Sequence, residues 1–197
     1  IEHYEIIFMA VFVILVILLV LYIVHENYRR DQELMKYAQT DALTGLYNKE
    51  TTKLRTDEIL STDKDMIHAF LILDMDCFKQ INDGYGHAVG DIVLQKFGQL
   101  LRDIFREDDI VGRIGGDEFV VVMKNVKMKE MAIAKAEELL TKTQQYEIKE
   151  LNGSAISISI GIAMAPEDGD CYMDLYKRAD QALYQAKRSG KARVCGY

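Results

Sequence analysis

The residues best suited to chemistry lie in Arg113-Ile114-Gly115-Gly116-Asp117-Glu118-Phe119. Ile110, Val111 and Ile114 precede the glycines and Phe119 to Met123 follow, so the stretch reads as a β-hairpin turning at Gly115-Gly116. Two carboxylates follow that turn, and strand alternation sends Asp117 and Glu118 to opposite faces. The bare glycines let a polyanionic ligand approach the backbone closely. Bland turns share this composition, and a second acidic cluster upstream is what changes the reading. Ile67–Asp74 (IHAFLILD) is an apolar strand with an acid at its end, and Asp76 follows on the same face. The pattern DxDxFKxxND invites an EF-hand reading. It fails, because Phe78 and Lys79 fill the loop's fifth and sixth positions and Tyr85 stands where a bidentate Glu is required. A carboxylate at a strand end plus one on a neighbouring hairpin suits Mg²⁺, with substrate phosphates completing its shell. Two such ions activate an attacking hydroxyl and stabilise a leaving pyrophosphate. Helix capping is the competing use of Asp74 and Asp76.

The elements that must position these groups can be read around them. A helix is expected from Lys49 to about Leu60, then the Ile67–Asp74 strand, then a polar loop with a helical turn up to Asp91. Asp91 opens an amphipathic helix to about Phe105, with Ile92, Val93, Leu94, Phe97, Leu100, Leu101 and Ile104 as its apolar stripe. After the hairpin come a helix over Lys129–Gln144, an alternating strand over Ser154–Ala165, and a helix over Met173–Arg188 stopped by Ser189-Gly190. Helices and strands alternate except at the hairpin. The expected fold is α/β or α+β, a mixed sheet with helices on its faces.

Ahead of this domain runs IIFMAVFVILVILLVLYIV, uncharged from Ile6 to Val24, long enough at 1.5 Å per residue for a hydrocarbon core of about 30 Å. A transmembrane helix is therefore expected within residues 1–24. Glu2 and Glu5 precede it and Arg29, Arg30 and Lys36 follow, which places the C-terminal domain in the cytoplasm, on a cytoplasmic (inner) membrane crossed once. Because the chain opens on Ile, a preceding sensor region is expected to have been cut away. Residues 25–40 are polar and helix-favouring, with Tyr28, Met35 and Ala38 in a row that Asp31 interrupts: a signalling helix, or a solvated tether. The domain proper is expected over 41–197.

The 197 residues carry a net charge of −7, which argues against a nucleic-acid binder. Cys77, Cys171 and Cys195 lack CxxC or Cys/His ligand spacing and read as reduced thiols, and the four histidines are too scattered for zinc.

Four ordered blocks, DALTGLYN at 41–48, DMDCFKQINDGYGHAVGD at 74–91, RIGGDEF at 113–119 and ADQALYQAKRSGKARV at 179–194, resemble the GGDEF family of diguanylate cyclases. The resemblance covers about residues 41–197. It implies a palm-like mixed sheet similar to nucleotide cyclases and polymerase palms, and the joining of two GTP into cyclic di-GMP with loss of two pyrophosphates. By that resemblance Asp74, the Met75 carbonyl and Asp117 would hold Mg²⁺, or Mn²⁺ in its place. Asp117 would also be the base for the ribose 3′-hydroxyl, with Glu118 assisting; the split between base and ligand stays open, since a metal-bound carboxylate is a poor base. Asn82 and Asp91 would read guanine, whose edge an amide and a carboxylate can pair. His87 would lie near the nucleotide, with a structural role as the alternative. Phe78 and Lys79 would set the phosphate loop, and Lys187 and Lys191 would meet phosphates, against the alternative of a solvated basic helix end favoured by the macrodipole. Arg106 and Asp109, spaced RxxD, with Arg113 would form an inhibitory product site, where an Arg fork and a carboxylate suit guanine or phosphate; a surface ion pair is the bland alternative. Lys49 and Lys191-Ala192 depart from the family's usual Arg and Arg-Asn, and the second change loses a bidentate phosphate contact. One domain offers one GTP half-site, so a homodimer at the membrane is implied. A catalytically silent GTP or cyclic di-GMP receptor is the rival reading, and a membrane scaffold a third.

Overall fold

The computed structural model describes residues 2–151 and 155–197; in the first helix it describes the side chains of 9, 12, 14–30 and 39. The chain divides into two compact units, 1–39 and 40–197. The first unit is one helix, α1 (Glu2–Gln39), which runs without a break through the stretch expected to be a separate linker. Its described apolar side chains, Met9, Phe12 and those from Ile14 to Val24, are exposed. Among the described residues no helix is long and apolar enough to cross a membrane. The span expected over Ile6–Val24 is therefore not shown; its side chains at Ile6, Ile7, Phe8, Ala10, Val11 and Val13, like Met35 and Ala38 of the linker row, lie outside the described residues.

The second unit is a five-stranded sheet in the order β2-β3-β1-β4-β5. These are β1 (His68–Met75), β2 (Ile110–Gly115), β3 (Glu118–Met123), β4 (Ile158–Ala165) and β5 (Val194–Gly196). β1 is central and antiparallel to β3 and β4, and β5 joins β4 in parallel. The helices are α2 (Lys49–Thr62), α3 (Phe78–Tyr85), α4 (His87–Ile104), α5 (Lys129–Gln145) and α6 (Tyr172–Arg188). A largely antiparallel sheet flanked by helices makes this the α+β alternative.

Alternation along the strands sorts the core into two layers. Leu71 and Leu73 of β1, Phe119 and Val121 of β3, and Ile158, Ile160 and Ile162 of β4 pack against α4 and α5 residues such as Phe97, Leu101 and Leu139. Phe70, Ile72, Val120 and Val122 face the other way, onto Leu60 of α2 and Leu175, Ala179 and Leu183 of α6. Each fully buried Ile or Leu contributes about 1.5–3 kcal/mol. β4 is asymmetric: large residues face α4 and α5, whereas Ser159, Gly161, Ala163 and Ala165 face α6. That lets α6 settle onto the strand backbone, and a Cβ on Gly161 would collide with Ala179 O and Leu183 N.

Two expectations are corrected here. The polar loop before Asp91 contains α3, and α4 begins at His87; Gly86, at φ +87°, makes the break between them. α3 buries no residue fully, and Phe78 and Ile81, one helical turn apart, pack at the core's edge. The last long strand starts at Ile158 rather than Ser154, which lies outside the described residues.

Candidate active site

The β2–β3 turn is not Gly115-Gly116. A bulge shifts the register between Arg113 and Gly115, Gly115 pairs with Glu118, and the two turn residues are Gly116 (φ +23°) and Asp117. Strand alternation therefore does not set the direction of Asp117, which is not in the strand. The turn lies across the end of β1, where the Met75 N–H donates to Asp117 O at 3.3 Å. Asp74 stands opposite Glu118 in the ladder and shares the parity of Phe70 and Ile72, which aims it toward α6. From the last turn of α6, Lys187 Nζ meets Asp74 Oδ2 at 2.8 Å.

The acids sense one another. Burial pushes the Asp74 carboxyl up, the Lys187 ammonium opposes it, and the Asp117 and Asp76 charges add to the rise. Burial also raises Glu118, helped by Asp74, Asp117 and Asp180 and opposed by Lys187. Three carboxylates and a main-chain carbonyl form a hard-oxygen donor set of the kind Mg²⁺ takes, and the Lys187 ammonium partly offsets their charge. The donor set fits the ion. The carboxylates are not yet gathered around one point, however. Among the described residues, the three groups whose ligand atoms lie within 4.8 Å of one another are Asp170, Cys171 and Asp174, at the start of α6. There the thiol donates to Asp174 Oδ2 at 3.4 Å, an ordinary surface contact.

Asp76 has a different role from its neighbour. It accepts Ser157 Oγ–H (2.6 Å), Ser159 Oγ–H (2.7 Å) and the Ala192 N–H (3.1 Å), tying β4 and the loop after α6 to the end of β1. These bonds leave it a structural anchor rather than a helix cap. Cys77, at φ +59°, then turns the chain into α3, whose first N–H groups have no intrahelical acceptor. Phe78 is half-buried against the core and Lys79 is exposed. Asn82 of α3 lies over Gly90 of α4, where a Cβ would strike its Oδ1; this puts Asn82 beside the first turn of α4, which carries His87 and Asp91, both exposed. Lys191, at φ +61°, donates from Nζ to Cys77 Sγ at 3.2 Å, so it too sits beside the β1–α3 junction.

Residues 38–193 match the family described as "Diguanylate cyclase, GGDEF domain". The chain belongs to the GGDEF family. Diguanylate cyclase DgcS of Shewanella oneidensis is 36% identical over 168 residues, 84% of this chain and 55% of DgcS. Biofilm architecture maintenance protein MbaA of Vibrio cholerae is 35% identical over 88% of this chain and 23% of its own length. The chain thus spans from about a quarter to about half of these relatives. Among solved structures, the GGDEF domain of TpbB (YfiN) from Pseudomonas aeruginosa superposes with a TM-score of 0.74 at 35% identity, covering 80% of this chain and 93% of that one.

Of the residues expected to form the product site, this GGDEF domain brings Arg106 and Asp109 to one groove, while the Arg113 side chain is engaged elsewhere. The carboxylate of buried Asp109 accepts the main-chain N–H groups of Arg106 (3.0 Å) and Lys124 (2.9 Å), closing the turn before β2. The Arg106 side chain is exposed and lines a groove of about 360 Å³ with Gly45, Leu46, Tyr47, Arg102 and Asp109. Arg113 points elsewhere. Its Nη1 meets both Asp41 oxygens (3.1 and 3.2 Å), and its Nε and Nη2 donate to Gly116 O (2.9 and 2.7 Å). Burial works to raise the Asp41 carboxyl, but the Thr44 hydroxyl and N–H and the Arg113 guanidinium outweigh it and hold Asp41 below the usual range. The sequence reading gave Asp41 and Thr44 no role; the Asp-x-x-Thr spacing of a side-chain-bonded turn was the available signal.

Proposed function

We propose that the domain is one half-site of a diguanylate cyclase that joins two GTP molecules into cyclic di-GMP and releases two pyrophosphates. The observation that carries this is the placing of Asp74, Glu118 and the Asp117 turn at the end of the central strand, with Lys187 paired to Asp74 and with Asn82 and Asp91 on the adjoining α3–α4 pair. Asp74, the Met75 carbonyl and Asp117 would hold Mg²⁺, which when bound makes the ribose 3′-hydroxyl a better nucleophile and offsets triphosphate charge. The chain's own groups do the rest. Lys187 exchanges Asp74 for a phosphate, and Lys191, Lys79 and the open N–H groups of α3 hold the remaining anionic oxygens. Phe78 packs the loop, His87 lies beside the nucleotide, and Asn82 and Asp91 fix guanine by its donor–acceptor edge. The 3′-oxygen bonds to the α-phosphorus of the second nucleotide, the bond to pyrophosphate breaks, and the hydroxyl proton passes to Asp117 or Glu118.

One half-site aligns one GTP, so two chains must face each other, and orientation then controls the rate. The apolar run of α1 anchors the chain in a membrane with the domain on the cytoplasmic side. Cyclic di-GMP feeds back through the Arg106 groove.

The test incubates the chain with GTP and Mg²⁺ at several concentrations, with Asp117→Ala as control, and reads cyclic di-GMP by mass spectrometry. Product that climbs steeply with concentration and disappears in the control supports the reading. Tight GTP binding with no product at any concentration would transfer the domain to the receptor class.

A further inference from the structure

A buried carboxylate that the reaction does not use stands at the centre of the contacts around Lys191. Asp76 lies just past the end of β1, and its main-chain N–H donates to Ser157 O at 2.8 Å, which fixes the direction of its side chain. Its Oδ1 accepts Ser159 Oγ–H at 2.7 Å. Its Oδ2 accepts Ser157 Oγ–H at 2.6 Å and the Ala192 N–H at 3.1 Å. That last bond reaches a loop in an unfavourable conformation. Gly190 (φ +112°), Lys191 (φ +61°) and Ala192 (φ +48°) follow one another at positive φ, and the last two carry side chains that resist it. Such geometry persists where neighbours hold it from several sides. The Lys191 N–H donates to Ala186 O at 3.1 Å on the α6 side, and the Ile160 N–H of β4 donates to Arg193 O at 2.9 Å. Arg193 Nε donates to Lys191 O at 3.1 Å, and Asp76 holds Ala192 between them. So held, the loop brings Lys191 Nζ to Cys77 Sγ at 3.2 Å.

Resting on the cyclase reading, we propose that Asp76 is a positioning residue for the nucleotide's phosphates and acts through Lys191. It clamps the 190–192 loop so that the ammonium stays at the β1–α3 junction, where the open N–H groups of α3 would meet the same anion. A lysine on a loose loop spreads its charge over many positions, and fixing the root of the side chain lowers the ordering cost of a phosphate contact. The Cys77 sulfur is a weak acceptor, so an anionic phosphate takes the ammonium from it. Asp76 itself makes no contact with nucleotide. Three donors occupy its oxygens, which directs its charge into the fold rather than toward the incoming phosphate. An amide at this position keeps all three bonds: its oxygen accepts from Ser157 and Ala192, and its NH₂ donates to Ser159 Oγ. Asp76→Asn is therefore the conservative variant and Asp76→Ala the disabling one.

Two measurements on the full chain test this. The first is calorimetric binding of 3′-deoxy-GTP, which lacks the attacking hydroxyl, in Mg²⁺ buffer. Lys191→Met is expected to weaken it by about 10-fold and Asp76→Ala by about 5-fold or more. The double variant is expected to lose about 10-fold in all, because the second change removes what the first has already disabled. Asp76→Asn is expected to stay within about 2-fold of wild type. The second measurement uses no nucleotide: a short amine-to-thiol cross-linker joins Lys191 to Cys77, and peptide mass spectrometry reads the yield. That yield is expected to fall by about 3-fold or more in Asp76→Ala and to return in Asp76→Asn. Losses that multiply in the double variant, wild-type affinity in Asp76→Ala, or an unchanged cross-link yield there would each overturn the proposal. Circular dichroism confirms folding. If Asp76→Ala does not fold, Ser157→Ala, at a half-buried site, carries the same comparisons with an expected loss of about 3-fold. Absence of product from GTP in a parallel assay would sink the cyclase reading alone, because neither measurement involves turnover.

Discussion

Glu118 and Asp41 illustrate opposite uses of a carboxylate. Glu118 is destabilised by burial and by Asp74 and Asp117 beside it, so its charge costs the fold something that function retains. Glu118→Gln is expected to raise the melting temperature in Mg²⁺-free buffer by about 1–3 °C, discounting for solvent screening. It should also lower cyclic di-GMP formation by about 100-fold. Scanning fluorimetry beside the mass-spectrometric assay checks both, and a lower melting temperature would show that the acids do not repel. Asp41, held below the usual range, contributes stability that is present above its unfolded value of 3.8 and fades as pH falls through the lower folded value. Asp41→Asn should cost about 1–2 kcal/mol at neutral pH. Urea titrations of both proteins should show that gap closing in acid. The sequence made Asp74, Asp117 and Glu118 visible because their types and spacing are chemical in themselves. It hid the partner of Arg113, because Asp41 lies 72 positions away and only folding joins them.

At the level of elements, the alternation in ISIGIAMA marked β4 as a strand, and the apolar stripe from Val93 to Ile104 marked α4. The pattern showed a helical turn where α3 runs for eight residues on the surface, and it missed the bulge that moves the turn onward to Gly116-Asp117. A bulge breaks the period of two on which alternation arguments rest, and Asp117 falls in the turn, where that period does not apply. The small face of β4 carries a sharper expectation. Gly161→Ala places a methyl against the α6 main chain rather than a side chain that can swing aside. The cost should be about 1–3 kcal/mol, a fall in melting temperature of roughly 2–12 °C for a chain of this size. Lys187 rides on α6, so cyclase turnover should fall below what the lost stability alone accounts for. An unchanged melting temperature would show that α6 can lift without penalty.

On the scale of the whole molecule, the half-site reading requires that activity per chain rise with chain concentration and that a fused dimeric zipper remove that dependence; flat specific activity would end it. The sheet order adds a consequence for the site's dynamics. Asp74 is hydrogen-bonded into β1 between Glu118 on one side and Ser159 on the other, whereas Gly116 and Asp117 occupy the two-residue turn that overhangs it. Amide hydrogens along β1 should exchange only when the domain opens globally, while those of the overhanging turn should exchange through small local openings many times faster. The site is a vice with one jaw cast into the frame and the other on a hinge, so any signal that reaches it has a single part to move.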